Sequence, residues 1–398
     1  MERIIEQYRR RIAATNQEFI RSIADTIAWD ARLVGIRGAR GVGKTTLLLQ
    51  HIAEAFSNNL NVALYASLDN LWFANHSLIE LADNFVKRGG THLFLDEVHA
   101  YPQWSQTIKN IYDDYPDLHM VFTGSSLLEI LNARADLSRR AVVYTIQGLS
   151  FREFLNLQTG ENFPVISLPE LLQHHETLAP EIVAHVHPFQ YFSGYLQTGY
   201  YPYFLEGLGV YPQRLEETVQ MILELELPQL RGIEIAYVPK LKQLLHIISE
   251  SAPFIPNISK LSERIGINRH TLLAYLHYLH EAKLIICLYR DAHGISALQK
   301  PDKLYLENTN LMYLLKDARP DIGTVRETFL ANQLSYGHEL EYSETGDFLV
   351  DGQYTIEVSG KNKTRAQIKT AADAYIAADN LEYGNDRKIP LWMFGFLY

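Results

Sequence analysis

The sequence predicts an α/β protein. A parallel sheet with helices on both faces comes first, a helical domain with a helix-turn-helix follows, and a small α/β module closes the chain. Three observations predict this. Apolar strand-like runs recur at Leu33–Ile36, Val62–Ala66, Leu93–Leu95, Met120–Thr123 and Ala141–Ile146, with helical patterns between most of them, the alternation that builds a parallel sheet. A glycine-rich turn, Gly38 to Thr45, joins the first run to a helical stretch. Beyond residue 150 the spacing becomes helical and rich in aromatics, and mixed patterning returns near the end. The expected domains are 1–150, 151–298 and 299–398.

Composition is that of a folded protein: 47% of the 398 residues are hydrophobic and 21% charged. The formal net charge of -10 gives no global field for nucleic acid, so any such contact needs a local basic face. A single cysteine, Cys287, excludes an intramolecular disulfide framework and suits a reducing cytoplasm. No run approaches the roughly 20 apolar residues of a membrane span, and Met1 to Glu6 mixes charges without an apolar secretory core. Ile4, Ile5, Ile12, Phe19, Ile20 and Ile23 have helical spacing, which predicts a helical arm over residues 3 to 29 leading into the first strand.

The turn after that strand reads Gly38-Ala39-Arg40-Gly41-Val42-Gly43-Lys44-Thr45, a complete G-x-x-x-x-G-K-[ST] P-loop, with Thr46 continuing into the helix. Glycine lets successive backbone N–H groups converge on phosphate oxygens, and the helix N-terminus adds its dipole. Lys44 is expected on the β and γ phosphates of ATP and Thr45 on Mg²⁺. Gly38 to Thr46 are the expected nucleotide contacts.

The third run, His92-Leu93-Phe94-Leu95, ends in Asp96-Glu97. Asp96 fits a Mg²⁺ partner opposite Thr45, and Glu97 fits the group that polarises the attacking water. The fourth run ends Thr123-Gly124-Ser125-Ser126. It is expected between the strands carrying the P-loop and Asp96, so that Thr123 or Ser125 faces the γ-phosphate. Ser125 or Ser126 capping a helix at Leu127 is an equal alternative. Arg139 and Arg140 are candidates for transition-state charge stabilisation, in cis or from a neighbouring subunit, and equally for a solvated surface pair. Arg37 and Arg40 are further candidates for phosphate or partner contacts.

The chain resembles the bacterial and archaeal AAA-type P-loop ATPases that carry a DUF4143 domain. The resemblance rests on Gly35 to Thr46, Leu95-Asp96-Glu97-Val98-His99, Phe122-Thr123-Gly124-Ser125-Ser126 and above all Leu149-Ser150-Phe151-Arg152-Glu153-Phe154. Gly199-Tyr200-Tyr201-Pro202 is similar to that family's Gly-Gly-Tyr-Pro segment, with Tyr200 replacing the second glycine, and Lys300 to Asn308 is similar to the segment entering its C-terminal module. The resemblance implies an ATPase domain, a winged-helix region and a restriction-endonuclease-like end.

Read on its own, Ile258 to Leu276 has a helix-turn-helix shape. Leu261 and Ile265 pack the first helix, Gly266 makes the turn, and Asn268 caps a second helix with Leu272, Leu273 and Leu276 inward. The wing would begin at Lys283. Residues 258–290 carry five basic against two acidic side chains, a net +3 in an acidic chain, which suits DNA; winged helices also pack against protein. Near the end, Phe348–Val350 and Tyr354–Val358 read as a hairpin turning at Asp351-Gly352. Asp347 and Glu357 fit the carboxylates of a metal-dependent nuclease, with Glu327 as a third ligand. Ser359 stands where such a site expects lysine, and Lys361 lies two residues later; the alternative is a nuclease-like fold that does not cut. The histidines at 174, 175, 185 and 187 match no metal signature, and the tyrosines from 195 to 203 suit packing better than base stacking. The function these features favour is a Mg²⁺-dependent ATPase whose nucleotide state controls an attached DNA- or protein-binding module, alone or as a homo-oligomer. An ATP-gated nuclease and a non-hydrolysing nucleotide-sensing scaffold are the alternatives.

Overall fold

Each of the five apolar runs of the N-terminal half forms a strand: β1 (Leu33–Arg37), β2 (Ala63–Ser67), β3 (His92–Asp96), β4 (His119–Gly124) and β5 (Val142–Thr145). The computed structural model describes residues 1–124, 137, 139–290, 299–360 and 373–398. Two units divide the chain, Met1–Gly148 and Leu149–Tyr398.

In the first unit the strands form one sheet in the order β2-β3-β4-β1-β5, every pair parallel. β4 therefore lies between the P-loop strand and the strand ending in Asp96, as expected. Gly35 on β1 makes room for that neighbour, since a Cβ there would lie 2.7 Å from the Phe122 ring on β4. Helices α1 (Glu2–Ala13), α2 (Lys44–Ala55), α3 (Leu78–Lys87) and α4 (Trp104–Asp114) connect and cover the sheet. The N-terminal arm departs from the expected continuous helix. The Thr15 hydroxyl donates to the Arg11 carbonyl at 2.8 Å, and Asn16 Oδ1 accepts the Glu18 N–H at 2.6 Å. Such local bonds compete with helix propagation. The segment beyond is pinned by Gln50 of α2, whose amide donates to the Asn16 and Phe19 carbonyls at 2.8 Å each.

The second unit opens with α5 (Phe151–Thr159), followed by α6 (Leu168–His185), α7 (Pro188–Gly194), α8 (Tyr211–Met221), α9 (Leu227–Arg231), α10 (Val238–Ser251), α11 (Ile258–Ile265) and α12 (Arg269–Glu281). The Ser150-Phe151-Arg152-Glu153-Phe154 motif is a buried structural clasp. Ser150 and Glu153 form a reciprocal capping box at the start of α5, and the Ser150 hydroxyl and Arg152 Nε both donate to the Tyr398 carbonyl, at 2.6 and 3.0 Å. Tyr195, Tyr200 and Tyr201 are buried. Asn310 knits this stretch together, accepting the Tyr200 N–H at 2.8 Å and the Tyr211 hydroxyl at 2.5 Å.

α11 and α12 meet at Gly266, whose φ of +70° ends the first helix, and Asn268 accepts the Thr271 N–H at 2.8 Å to start the second. After α12, β6 (Ile285–Leu288) pairs antiparallel with β7 (Lys303–Leu306), so the expected boundary at 298 falls inside a strand pair. Cys287 is buried in β6, and burial pushes its thiol up to about 12. Helices α13 (Thr309–Leu315) and α14 (Ile322–Leu334) precede a second five-stranded sheet. Its strands are β8 (Leu340–Tyr342), β9 (Phe348–Val350), β10 (Tyr354–Ser359), β11 (Ala374–Ala378) and β12 (Lys388–Pro390), in the order β12-β11-β10-β9-β8. β8, β9 and β10 are antiparallel neighbours; β10, β11 and β12 are parallel. The β9–β10 hairpin turns where expected, with Asp351 and Gly352 at positive φ. Among the described residues no helix is long and apolar enough to cross a membrane.

Candidate nucleotide site

At the carboxyl edge of the first sheet, β1 runs into the loop 38–43. Gly41 and Gly43 take φ of +83° and +97°, conformations costly for any residue with a Cβ. Gly38 is fixed by space: a Cβ would meet the Ile146 carbonyl oxygen at 2.3 Å. Gly43 caps α2 without a side chain, leaving the first-turn N–H groups for an anion. Lys44 is buried, and its ammonium donates to the Gly38 and Ala39 carbonyls at 2.9 and 2.8 Å, so its charge sits within the loop. From behind, Arg21 braces the loop by donating to the Val42 carbonyl at 2.9 Å and to the Gln147 and Gly148 carbonyls at 2.9 and 3.0 Å.

The Thr45 hydroxyl donates to Asp96 Oδ2 at 2.7 Å. Asp96 is 1% exposed and takes further bonds. Tyr65 on β2 donates its hydroxyl to Oδ2 at 2.7 Å, while the Thr123 hydroxyl and the Glu97 N–H, the latter at 3.1 Å, donate to Oδ1. Glu97 adopts φ +52°, ψ +44°, a left-handed conformation uncommon outside glycine and often found where a site holds a side chain in place. Its carboxylate lies 3.4 Å from His99 Nε2. The loop, Lys44, Thr45, Asp96 and Glu97 thus come together at one sheet edge. Hydroxyl and carboxylate oxygens are the donor set a hard divalent cation takes, and the glycine cradle suits phosphate.

Other expectations change. Thr123 is completely buried with its hydroxyl committed to Asp96, so it shapes the carboxylate instead of facing the phosphate. Ser125, Ser126 and Lys361 lie outside the described residues. Arg139 and Arg140 precede β5, which runs parallel to β1, so they sit at the amino edge of the sheet, opposite the loop. Arg140 is held there by Asp113 through two bonds of 3.1 Å, and Arg139 is exposed. This corrects the expectation of a contact in cis. Arg37 Nε donates to the Thr145 hydroxyl at 2.8 Å. Tyr65 and Arg21 are not singled out by sequence, and His99 enters there only within the Leu95–His99 motif, without a role: Tyr65 sits inside an apolar run, and Arg21 acts through carbonyls distant in sequence. His99, two residues past Glu97, was the one available signal.

In the second unit Asp347 Oδ2 accepts the Val358 N–H at 2.8 Å, and Lys303 Nζ lies 2.8 Å from Glu327 and 3.7 Å from Asp347. An ammonium therefore sits between two of the three carboxylates expected to hold a metal. Glu357 is buried on β10. Among the described residues no group of three or more His, Cys, Asp or Glu side chains is arranged to hold a metal ion. In the helix-turn-helix, Lys260, Arg264 and Arg269 are exposed, whereas Lys283 lies 3.7 Å from Glu307, and Arg290 pairs with Asp302 at 3.1 Å and with Glu344.

Residues 30–155 match the family model of an AAA domain. The P-loop unit is of the AAA type. Its match spans the loop, Asp96, Glu97 and β5, the same stretch that builds the site. No curated protein matches the chain. Similar solved structures include the Walker-type ATPase PABY2304 of Pyrococcus abyssi, at 14% identity and a TM-score of 0.42, covering 76% of this chain and 97% of that one. AMPPCP-bound DnaA from Aquifex aeolicus is similar at 13% identity and a TM-score of 0.27, covering 63% of this chain and 82% of that one. PCH-2 of C. elegans is similar at 15% identity and a TM-score of 0.25, covering 39% of this chain and 44% of that one. These scores are low, and the family match is what places the AAA domain.

Proposed function

We propose that the protein binds ATP with Mg²⁺ and hydrolyses it, and that its nucleotide state controls the DNA- or protein-binding capacity of the attached second unit. The observation that supports this best is the 2.7 Å bond between Thr45 and Asp96, which joins the two phosphate-site motifs across the central strands. In this reading Gly38 to Thr46 cradle the phosphates. Lys44 moves its ammonium from the loop carbonyls to the β and γ oxygens. Thr45 and Asp96 would hold Mg²⁺, which when bound offsets charge on those oxygens. Glu97, set by its backbone and flanked by His99, takes the proton of the attacking water. From the amino edge of its own sheet, Arg139 or Arg140 reaches a phosphate only in a neighbouring copy.

Exposed Lys260, Arg264 and Arg269 on and around the helix-turn-helix favour DNA over a neutral partner. The Lys303 ammonium between Glu327 and Asp347 favours a second unit that binds without cutting. The decisive assay is ATP turnover by purified protein with Mg²⁺ or with chelator, in the presence and absence of DNA. Mg²⁺-dependent turnover is expected; ATP binding without turnover would leave a nucleotide-sensing scaffold instead.

A further inference from the structure

We propose that Tyr65 is a positioning residue of the nucleotide site and that helix α1 acts on the site through it, by way of Arg11. The inference rests on the assignment of Asp96 to Mg²⁺ given above and adds a regulator to it.

Tyr65 lies on β2, one strand away from Asp96, and is 3% exposed. Its hydroxyl donates to Asp96 Oδ2 at 2.7 Å and accepts from Arg11 Nη1 of α1 at 2.6 Å. The guanidinium also lies 5.3 Å from the centre of the Tyr65 ring. Arginine cannot accept and carboxylate cannot donate, so the direction of this chain is fixed: Arg11 to Tyr65 to Asp96. A donor that is itself polarised by a cation donates more strongly. Oδ2 is the oxygen that Thr45 also reaches. Tyr65 therefore sets the carboxylate's rotation where the metal partner needs it. For packing alone, phenylalanine would serve on this apolar strand.

The Arg11 end of the relay is the accessible one. Helix α1 is seated by buried Ile4 and Tyr8, and polar contacts ring it: Arg9 donates to Asn61 at 2.9 Å and Asn70 to Gln7 at 2.7 Å. Beside them lies a cavity of about 250 Å³ bordered by Gln7, Tyr8, Arg11, Tyr65 and Asn70. Arg11 itself is exposed. A partner or ligand that draws the exposed Arg11 side chain away from Tyr65 would break this bond while α1 and the sheet stay in place, and the effect would arrive at Asp96 as weaker metal binding.

The test measures the Mg²⁺ concentration for half-maximal ATP turnover, beside the KM for ATP at saturating Mg²⁺ and the melting temperature. Tyr65→Phe is expected to raise the Mg²⁺ requirement by about tenfold or more, the usual cost of losing an outer-shell partner, with KM nearly unchanged. Arg11→Met keeps the stem and is expected to raise it by a smaller factor, about threefold, since it acts through Tyr65. The double variant should match Tyr65→Phe, because Arg11 has no route to the metal once the hydroxyl is gone. A wild-type Mg²⁺ requirement in Tyr65→Phe, or fully additive effects in the double variant, overturns the proposal. Should Tyr65→Phe fail to fold, Arg11→Met on the helix surface carries the test, and an unchanged Mg²⁺ requirement there overturns it. If the wild type itself shows no Mg²⁺-dependent nucleotide turnover, the functional assignment fails first, which that arm reports separately.

Discussion

In the proposed function Lys44 supplies the charge that faces the phosphates; in this structure its ammonium rests on the Gly38 and Ala39 carbonyls. Two charge-assisted contacts of about 1.5–3 kcal/mol each are lost in Lys44→Ala, so ATP affinity by calorimetry should fall at least about a hundredfold. Glu97→Gln keeps the shape of the site and removes the base; nucleotide should stay bound while turnover falls about 10²–10⁴-fold. Normal turnover in that variant would remove Glu97 from the chemistry. A different carboxylate governs pH behaviour. Glu307 is 1% exposed, neither of its oxygens accepts a hydrogen bond, and Lys283 lies 3.7 Å away. Burial raises its pKa to about 7, against a smaller lowering by Lys283. A raised carboxylate holds its proton in the folded state at pH values where the unfolded chain has lost it. Its stabilising contribution is therefore full below about pH 4.5, the unfolded value, and is lost as pH rises towards 7. Denaturant midpoints from pH 5 to 8 should show Glu307→Gln gaining on the wild type as pH rises. A constant difference between the two would refute the assignment.

At the scale of elements, periodicity in the sequence located β1 to β5 within one or two residues: β1 to β4 are parallel strands buried on both faces, which read as continuous apolar runs, and the edge strand β5 reads the same way although Val142 and Val143 are exposed. The helix-turn-helix and the β9–β10 hairpin were equally legible, since Gly266, Asn268 and Asp351-Gly352 are local signals. What the sequence could not convey is pairing between distant residues. Nothing in Lys303 announces that its ammonium will sit between Glu327 and Asp347, and only the parallel register of β5 shows that Arg140 lies at the edge away from its own P-loop. Tyr65 was opaque for the same reason, and Thr123, expected on the phosphate, turned out otherwise for it: each is a strand residue whose hydroxyl faces Asp96. The lysine has a consequence for the second sheet. Supercoiled and single-stranded DNA should remain intact with the wild type and Mg²⁺ or Mn²⁺, with or without ATP, while Glu357→Ala should leave ATP turnover unaffected. Robust cutting abolished by Glu357→Ala and Lys361→Ala would instead establish a nuclease.

For the whole molecule, the proposed control of the second unit by ATP is what needs testing. If the helix-turn-helix meets DNA through exposed Arg269, then Arg269→Glu should weaken binding and flatten the salt dependence by about 0.9 per lost phosphate contact. A wild type that shows no salt-sensitive association would leave this segment as a protein-packing module. Assembly can be tested in the same preparations. Arg139→Ala or Arg140→Ala mixed with Glu97→Gln protein should regain partial turnover when the arginine serves a neighbour's nucleotide. Full turnover in both arginine variants alone would remove the pair from the chemistry.

Cys287 makes such experiments easier to read than usual. It is the one thiol in the chain, it lies buried in β6, and a thiol pushed up to about 12 is almost entirely protonated at neutral pH, hence slow to alkylate. A cysteine introduced at an exposed position would thus be the single fast-reacting handle, so a fluorophore could be placed on α1 or α12 without first stripping the protein of native thiols. The slow residual labelling of Cys287 would then serve as an internal clock, ticking each time β6 opens.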